Sequence, residues 1–148
     1  MMIDVNKIQG NARVINYAGI IRGATQREIK LEISGNANNS LIRYLDDIFD
    51  GLMHGGGKYQ LTKIDDQKYQ NKLAKLNKAW VSLKEEIQKV RENGYENTNI
   101  INMSEDYFYL ADETVIILNI VLHNLIPLKK VLLSQVLLLF VSLLEKRF

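Results

Sequence analysis

Seven residues between positions 69 and 90 constrain this chain most. Tyr69, Leu73, Leu76, Trp80, Leu83, Ile87 and Val90 step alternately by four and three, with Lys, Glu, Gln and Asn in the gaps. That period belongs to a helix whose one apolar stripe packs on other helices. Thr62 with Asp65 three residues later is a start signal, so the spacing predicts a helix over about 64–93, ended by Asn93-Gly94. Near the N-terminus, Val5, Ile8, Ala12, Ile15, Gly19, Arg22, Gln26, Ile29 and Ile33 step by threes and fours in the same way. They predict a helix over about 4–33, roughly 44 Å long, stopped by Ser34-Gly35-Asn36. The middle of this second stripe is Gly19, Arg22 and Gln26. A guanidinium on a packing seam is costly unless something pairs with it. The first helix is therefore expected to meet an acidic partner or to hold a negatively charged ligand.

Two further helices complete the pattern. Asn38 or Asn39 offers an N-cap for a helix over about 39–53. Its apolar face is Leu41, Ile42, Leu45, Ile48, Phe49 and Leu52, and its polar face is Arg43, Asp46, Asp47 and Asp50. His54-Gly55-Gly56-Gly57 ends it as a flexible connection. Beyond Gly94 a polar stretch leads to Ser104, an N-cap with Glu105 and Asp106 well placed against the helix dipole. A helix over about 105–125 follows through Tyr107, Leu110, Thr114, Ile117 and Val121. No strand-like alternation competes. The fold class expected is all-α, an antiparallel four-helix bundle with a very apolar C-terminal helix, in a chain whose 148 residues suit one domain.

Charge and hydropathy divide the chain near Thr114. Residues 1–114 carry a net charge of −1, and residues 115–148 carry +3. Because the cations of the first part are interspersed with carboxylates, it presents no nucleic-acid surface. The second part is apolar nearly all round, broken by Asn119, His123-Asn124, Pro127, Lys129-Lys130 and Ser134-Gln135. Its purest run, 131–144, is fourteen residues long, against the roughly 20 a membrane-crossing helix needs. Pro127 is expected to break or kink any longer span. Two readings stand: a partial membrane segment, or a helix buried in a core or exchanged between subunits. Residues 1–13 contain no apolar run of the kind a signal peptide carries.

No catalytic constellation emerges. The chain has no cysteine, which removes disulfides, thiolate metal sites and cysteine nucleophiles. His54-Gly55-Gly56-Gly57 is similar to the oxyanion loop of esterases, but no Gly-x-Ser-x-Gly accompanies it. Nor do these glycines with Lys58 make a phosphate loop, since Leu52 stands where the first glycine is required and Tyr59 follows the lysine. His54 and His123 lack carboxylates at metal-ligand spacing. Asp46, Asp47, Asp50, Asp65 and Asp66 read as a solvated face, and Trp80 with its neighbouring tyrosines as core or boundary. The sequence points to no enzyme, metal or cofactor.

One stretch goes further. Asn16-x-Ala18-Gly19-x-x-Arg22-x-x-Thr25-Gln26-Arg27 resembles the first-helix motif of bacterial membrane sensor domains. These are the four-helix modules of type IV pili methyl-accepting chemotaxis-like transducers, and the related modules of nitrate/nitrite sensor kinases. The resemblance implies that residues 1–114 are a ligand-sensing, extracytoplasmic module of a homodimeric cell-membrane signalling protein. Its output would be a kinase, chemoreceptor or diguanylate cyclase. It also implies that Arg22 holds a small anion across a dimer interface, and Arg27 matches the second arginine of the nitrate sensors. Such proteins carry a transmembrane helix before the motif and an output domain after it, so the chain reads as a truncated member.

The residues themselves add to this. Gly19 and Gly23, with Ala18 and Ala24 beside them, let two helices approach closely. Thr25 and Gln26 lie three and four residues from Arg22 and share its face. Arg27 is about 140° round the helix and is expected to bind a neighbouring helix instead. The ligand-binding set is thus Arg22, Gln26, Thr25, Arg27, Asn16 and Gly19. The competing expectation is that Arg22 pairs with a carboxylate of another helix, and that the chain is a structural or partner-binding bundle associating through the 69–90 stripe.

Overall fold

A computed structural model describes residues 4–124 and 128–147. The helices are α1 (Val5–Ile33), α2 (Asn39–His54), α3 (Gln67–Asn93), α4 (Ile100–Asn124) and α5 (Leu128–Glu145), with one 3-10 turn, Tyr95–Asn97, before α4. The chain is all-helical, and among the described residues no strand forms. α1 packs on α2, α3 and α4, and α3 packs on α2 and α4.

Local chemistry sets the helix starts. Asp4 accepts a hydrogen bond from the Lys7 amide, Asn38 from Leu41, and Asp66 from Tyr69 at 2.8 Å. Each satisfies one of the donors that a first turn leaves open. α3 starts at Gln67 and not near 64, because Asp66 is the cap. The Ile64 carbonyl is instead held by the Gln70 side chain at 2.8 Å. α4 starts four residues before the expected Ser104 cap. There the Asn99 amide donates to Glu86 Oε1 of α3 at 2.8 Å, so the capping group comes from another helix. Ser104 is buried inside α4 and donates to the Ile101 carbonyl.

All seven stripe residues of α3 are buried, from Tyr69 and Trp80 at 0% exposure to Val90 at 5%. They pack with Leu45, Ile48, Phe49, Tyr107 and Leu118 in one core, so that stripe is consumed inside the chain and is not left for self-association. α1 departs from expectation in its register. Its buried positions are Val14, Ala18, Ile21, Thr25, Glu28, Ile29 and Glu32. Of the predicted stripe only Ile29 is buried, while Val5, Ile8 and Ala12 are exposed. Both stripes step by threes and fours, and the packed one contains two glutamates that a search for apolar positions passes over.

Two polar features also differ from expectation. Asp46 is half-buried and accepts from Trp80 Nε1 at 2.7 Å and from Lys84 Nζ at 2.6 Å. Arg43, Asp47 and Asp50 of that face are exposed. Nor is the glycine run loose. Gly55, Gly56 and Gly57 all have φ between +68° and +79°, a region that glycine enters without steric cost. The turn is closed by Gly56 and Leu61 exchanging backbone hydrogen bonds at 2.7 and 3.0 Å. It delivers Tyr59 to a stacked contact with Tyr17 and an edge contact with Tyr44.

In α5, Leu133, Leu137, Leu138, Leu139, Phe140 and Leu143 are each more than 60% exposed. Among the described residues no helix is long and apolar enough to cross a membrane. Pro127, expected to interrupt this region, lies outside the described residues, as does the predicted end of the fourth helix at 125.

Asp46→Ala strands the buried indole N–H of Trp80, so it should cost about 1–3 kcal/mol. Asp47→Ala, one residue on and exposed, should stay within about 0.5 kcal/mol of the parent. Urea unfolding of the two variants side by side checks this.

Candidate functional site

The motif of α1 lies against α4 through three polar ties. Arg22 Nη1 donates to Asp112 Oδ1 at 2.5 Å. The Thr25 hydroxyl donates to the Tyr107 hydroxyl at 3.1 Å, and Gln26 Nε2 to the Ser104 carbonyl at 3.2 Å. The ties differ in depth. Thr25 and Tyr107 are buried at 0% and 1% exposure, and burial pushes the Tyr107 phenol up from its ordinary value, slightly opposed by the Thr25 hydrogen bond. The Arg22 and Asp112 side chains are 37% and 43% exposed. Their attraction is therefore screened by water, and a pair of this kind contributes at most about 1 kcal/mol.

The remaining members of the predicted set stand apart. A side chain built at Gly19 or Gly23 would meet nothing within 4 Å, so both glycines open onto free space beside Arg22. Asn16 and Arg27 are exposed. Arg27 does not bind a neighbouring helix as expected and makes no hydrogen bond or ion pair among the described residues. The structure thus brings Arg22, Thr25 and Gln26 together with α4, leaves Gly19 at the rim, and places Asn16 and Arg27 away from the ties. Toward the start of α1 the same seam opens into an apolar groove of about 270 Å³, lined by Ile8, Ala12, Ile15, Asn119, Leu122 and His123. Among the described residues no three His, Cys, Asp or Glu side chains come together to hold a metal ion.

The sequence reading missed a carboxylate corner at the other end of α1. Glu32 is 4% exposed, and both its oxygens accept from Arg91 of α3, through Nε at 3.0 Å and through Nη2. Arg91 also donates from Nη1 to Asn39 Oδ1 of α2 at 2.9 Å, so a single guanidinium joins three helices. One turn back on α1, Glu28 is 0% exposed. Burial, reinforced by the neighbouring Glu32 carboxylate, pushes the Glu28 carboxyl up to about 8, opposed by Arg91. Burial also acts upward on Glu32, but its hydrogen bonds, with Arg91 first, hold it below the ordinary value. The available signal was spacing, since Glu28 and Glu32 continue the steps of Val14, Ala18, Ile21 and Thr25.

Thr25→Val and Tyr107→Phe each leave a buried hydroxyl without its partner and should cost about 1–3 kcal/mol. The double variant removes both groups and should be clearly less destabilised than the sum, a coupling that a double-mutant cycle of unfolding free energies measures. Comparison with protein-family models, curated proteins and solved structures finds no match to this chain.

Proposed function

We propose that α1–α4 form an antiparallel four-helix sensing module of a membrane signalling protein, and that a small anion acts at Arg22. The single observation that carries this is the half-exposed Arg22–Asp112 pair at the edge of the α1–α4 seam, beside the open Gly19 and Gly23. Asp112 occupies the arginine much as an anion would. An incoming anion competes for the same donors by charge-assisted hydrogen bonds. Displacing Asp112 removes one of three ties between α1 and α4, and small shifts of packed helices are a recurrent way of passing on a signal. The descending order of partners, Arg22 to Asp112, Thr25 to Tyr107 and Gln26 to Ser104, supports the antiparallel arrangement of these two helices. The exposed apolar residues of α5 support attachment of this apolar C-terminal helix to a membrane.

A second reading has its own support. The stripe of Val5, Ile8 and Ala12, leading to the open glycines, is uncovered, and Ile8 and Ala12 face Asn119 and His123 of α4 across the apolar groove. This surface suits a helical partner, a second copy of the chain among them, with no small ligand involved.

Thermal unfolding with sodium nitrate, nitrite, acetate and phosphate separates the two. An anion at a hundred times its dissociation constant should add about 2.7 kcal/mol. Under the sensing reading one of these salts raises the midpoint of the parent beyond the effect of chloride at equal ionic strength. The shift disappears in Arg22→Ala and grows in Asp112→Asn, where the internal competitor is gone. Equal responses in all three proteins, or none, would favour the partner-binding module. In the absence of anion, Arg22→Ala should itself cost no more than about 1 kcal/mol.

A further inference from the structure

Glu28 poses a problem that hydrogen-bond geometry makes concrete. Its side chain is completely buried, and neither carboxylate oxygen has a hydrogen-bond partner. Two carboxylates only accept, so no bond can form between them. A single proton changes this. Protonated Glu28 becomes a donor, and Glu32, its neighbour one turn on along α1, is the acceptor at hand. Glu32 meanwhile keeps its charge, because the Arg91 guanidinium grips both of its oxygens.

We propose that Glu28 is a proton-binding switch, sharing one proton with Glu32 while the corner of α1, α2 and α3 is closed and loosening that corner when the proton leaves. The closed state holds one negative and one positive charge, Glu32 and Arg91. Loss of the proton makes this two negative charges against one guanidinium, in a place where water does not reach Glu28. A buried charge without compensation strongly disfavours the state that buries it. Relief comes from moving the last turns of α1 away from α3, or from letting water in. Either movement slackens the bond from Arg91 to Asn39 at the start of α2, so the effect spreads to a third helix.

The groups that face Glu28 are few. The charged ones acting on it are Glu32 of its own helix and Arg91 of α3. α2 contributes the neutral Asn39, which binds Arg91. Among the described residues no charged group of α4 acts on it. The sign follows from the raised value of Glu28. The folded chain binds this proton more tightly than the unfolded chain, so its contribution is complete below the ordinary glutamate range. It is lost progressively up to about pH 8 and is level above that. Glu32 works oppositely, its contribution being lost on acidification. The corner is therefore tightest at mildly acidic pH and opens towards alkaline pH.

The test is a carboxyl carbon NMR titration of the full chain, with amide hydrogen exchange of residues 28–42 at pH 6 and pH 9, corrected for intrinsic exchange. The Glu28 carboxyl should titrate at least two pH units above an ordinary glutamate, and opening of the corner should be at least tenfold greater at pH 9. Glu28→Gln mimics the protonated acid and should hold opening at its pH 6 level throughout. Glu32→Gln leaves Glu28 as the partner for Arg91 and should bring its titration down. Titration of Glu28 in the ordinary carboxylate range would overturn the switch. So would a pH response of the corner that survives unchanged in Glu28→Gln.

Discussion

Everything in this molecule rests on the burial of one stripe of α3. Trp80 sits at its middle with no exposed surface, which is tolerable only because Asp46 of α2 accepts from the indole N–H. An aromatic side chain of that size brings a large apolar area into the core. The hydrogen bond fixes where along α2 it must sit. Lys84 reaches the same carboxylate from the next turn, so the contact that orients the largest core residue also sets α2 against α3. Once α3 is placed, α1 and α4 are left to close the core, with Tyr107 packing beside Trp80.

The α1–α4 contact is of a different kind. Its buried part includes the Thr25–Tyr107 hydroxyl pair, with the Ser104 carbonyl accepting from Gln26 beside it. A seam built this way gives up some apolar burial in exchange for directional bonds, which fix register more sharply than methyl groups do. It is also graded, from the buried pair of hydroxyls to the half-exposed ion pair. The inner bond resists solvent and the outer one is open to competition, which is the arrangement required of a contact that ions in solution can reach.

Much of this was legible in the sequence, and the gaps have physical causes. The α3 stripe and both faces of α2 were readable because apolar residues at helical spacing carry an unambiguous period. The register of α1 was not, because that helix bears two stripes about a residue apart and the packed one is interrupted by Thr25, Glu28 and Glu32. Periodicity treats a glutamate as a surface residue, while Arg91, 59 residues further along the chain, makes Glu32 an interior one. The role of Asp46 was hidden for the same reason, since its partner Trp80 is on another helix. Of the site, the polar ties of Arg22, Thr25 and Gln26 lay at positions the motif singled out, but their partners on α4 could not be identified by spacing.

The hydrogen bond from the Asn99 amide to Glu86 ties the start of α4 to α3. A helix normally carries its own initiating group in the residue just ahead of its first turn. Here that group sits thirteen residues back, across the 3-10 turn, on α3. The first turn of α4 is therefore held from α3 as well as by Thr98, whose hydroxyl oxygen accepts from the Ile100 amide at 3.5 Å. Closing so short a loop is entropically inexpensive, so α3 and α4 form a local pair. Where Glu86 holds Asn99 thus fixes the heights along α4 of Ser104, Tyr107 and Asp112, the three groups that meet α1.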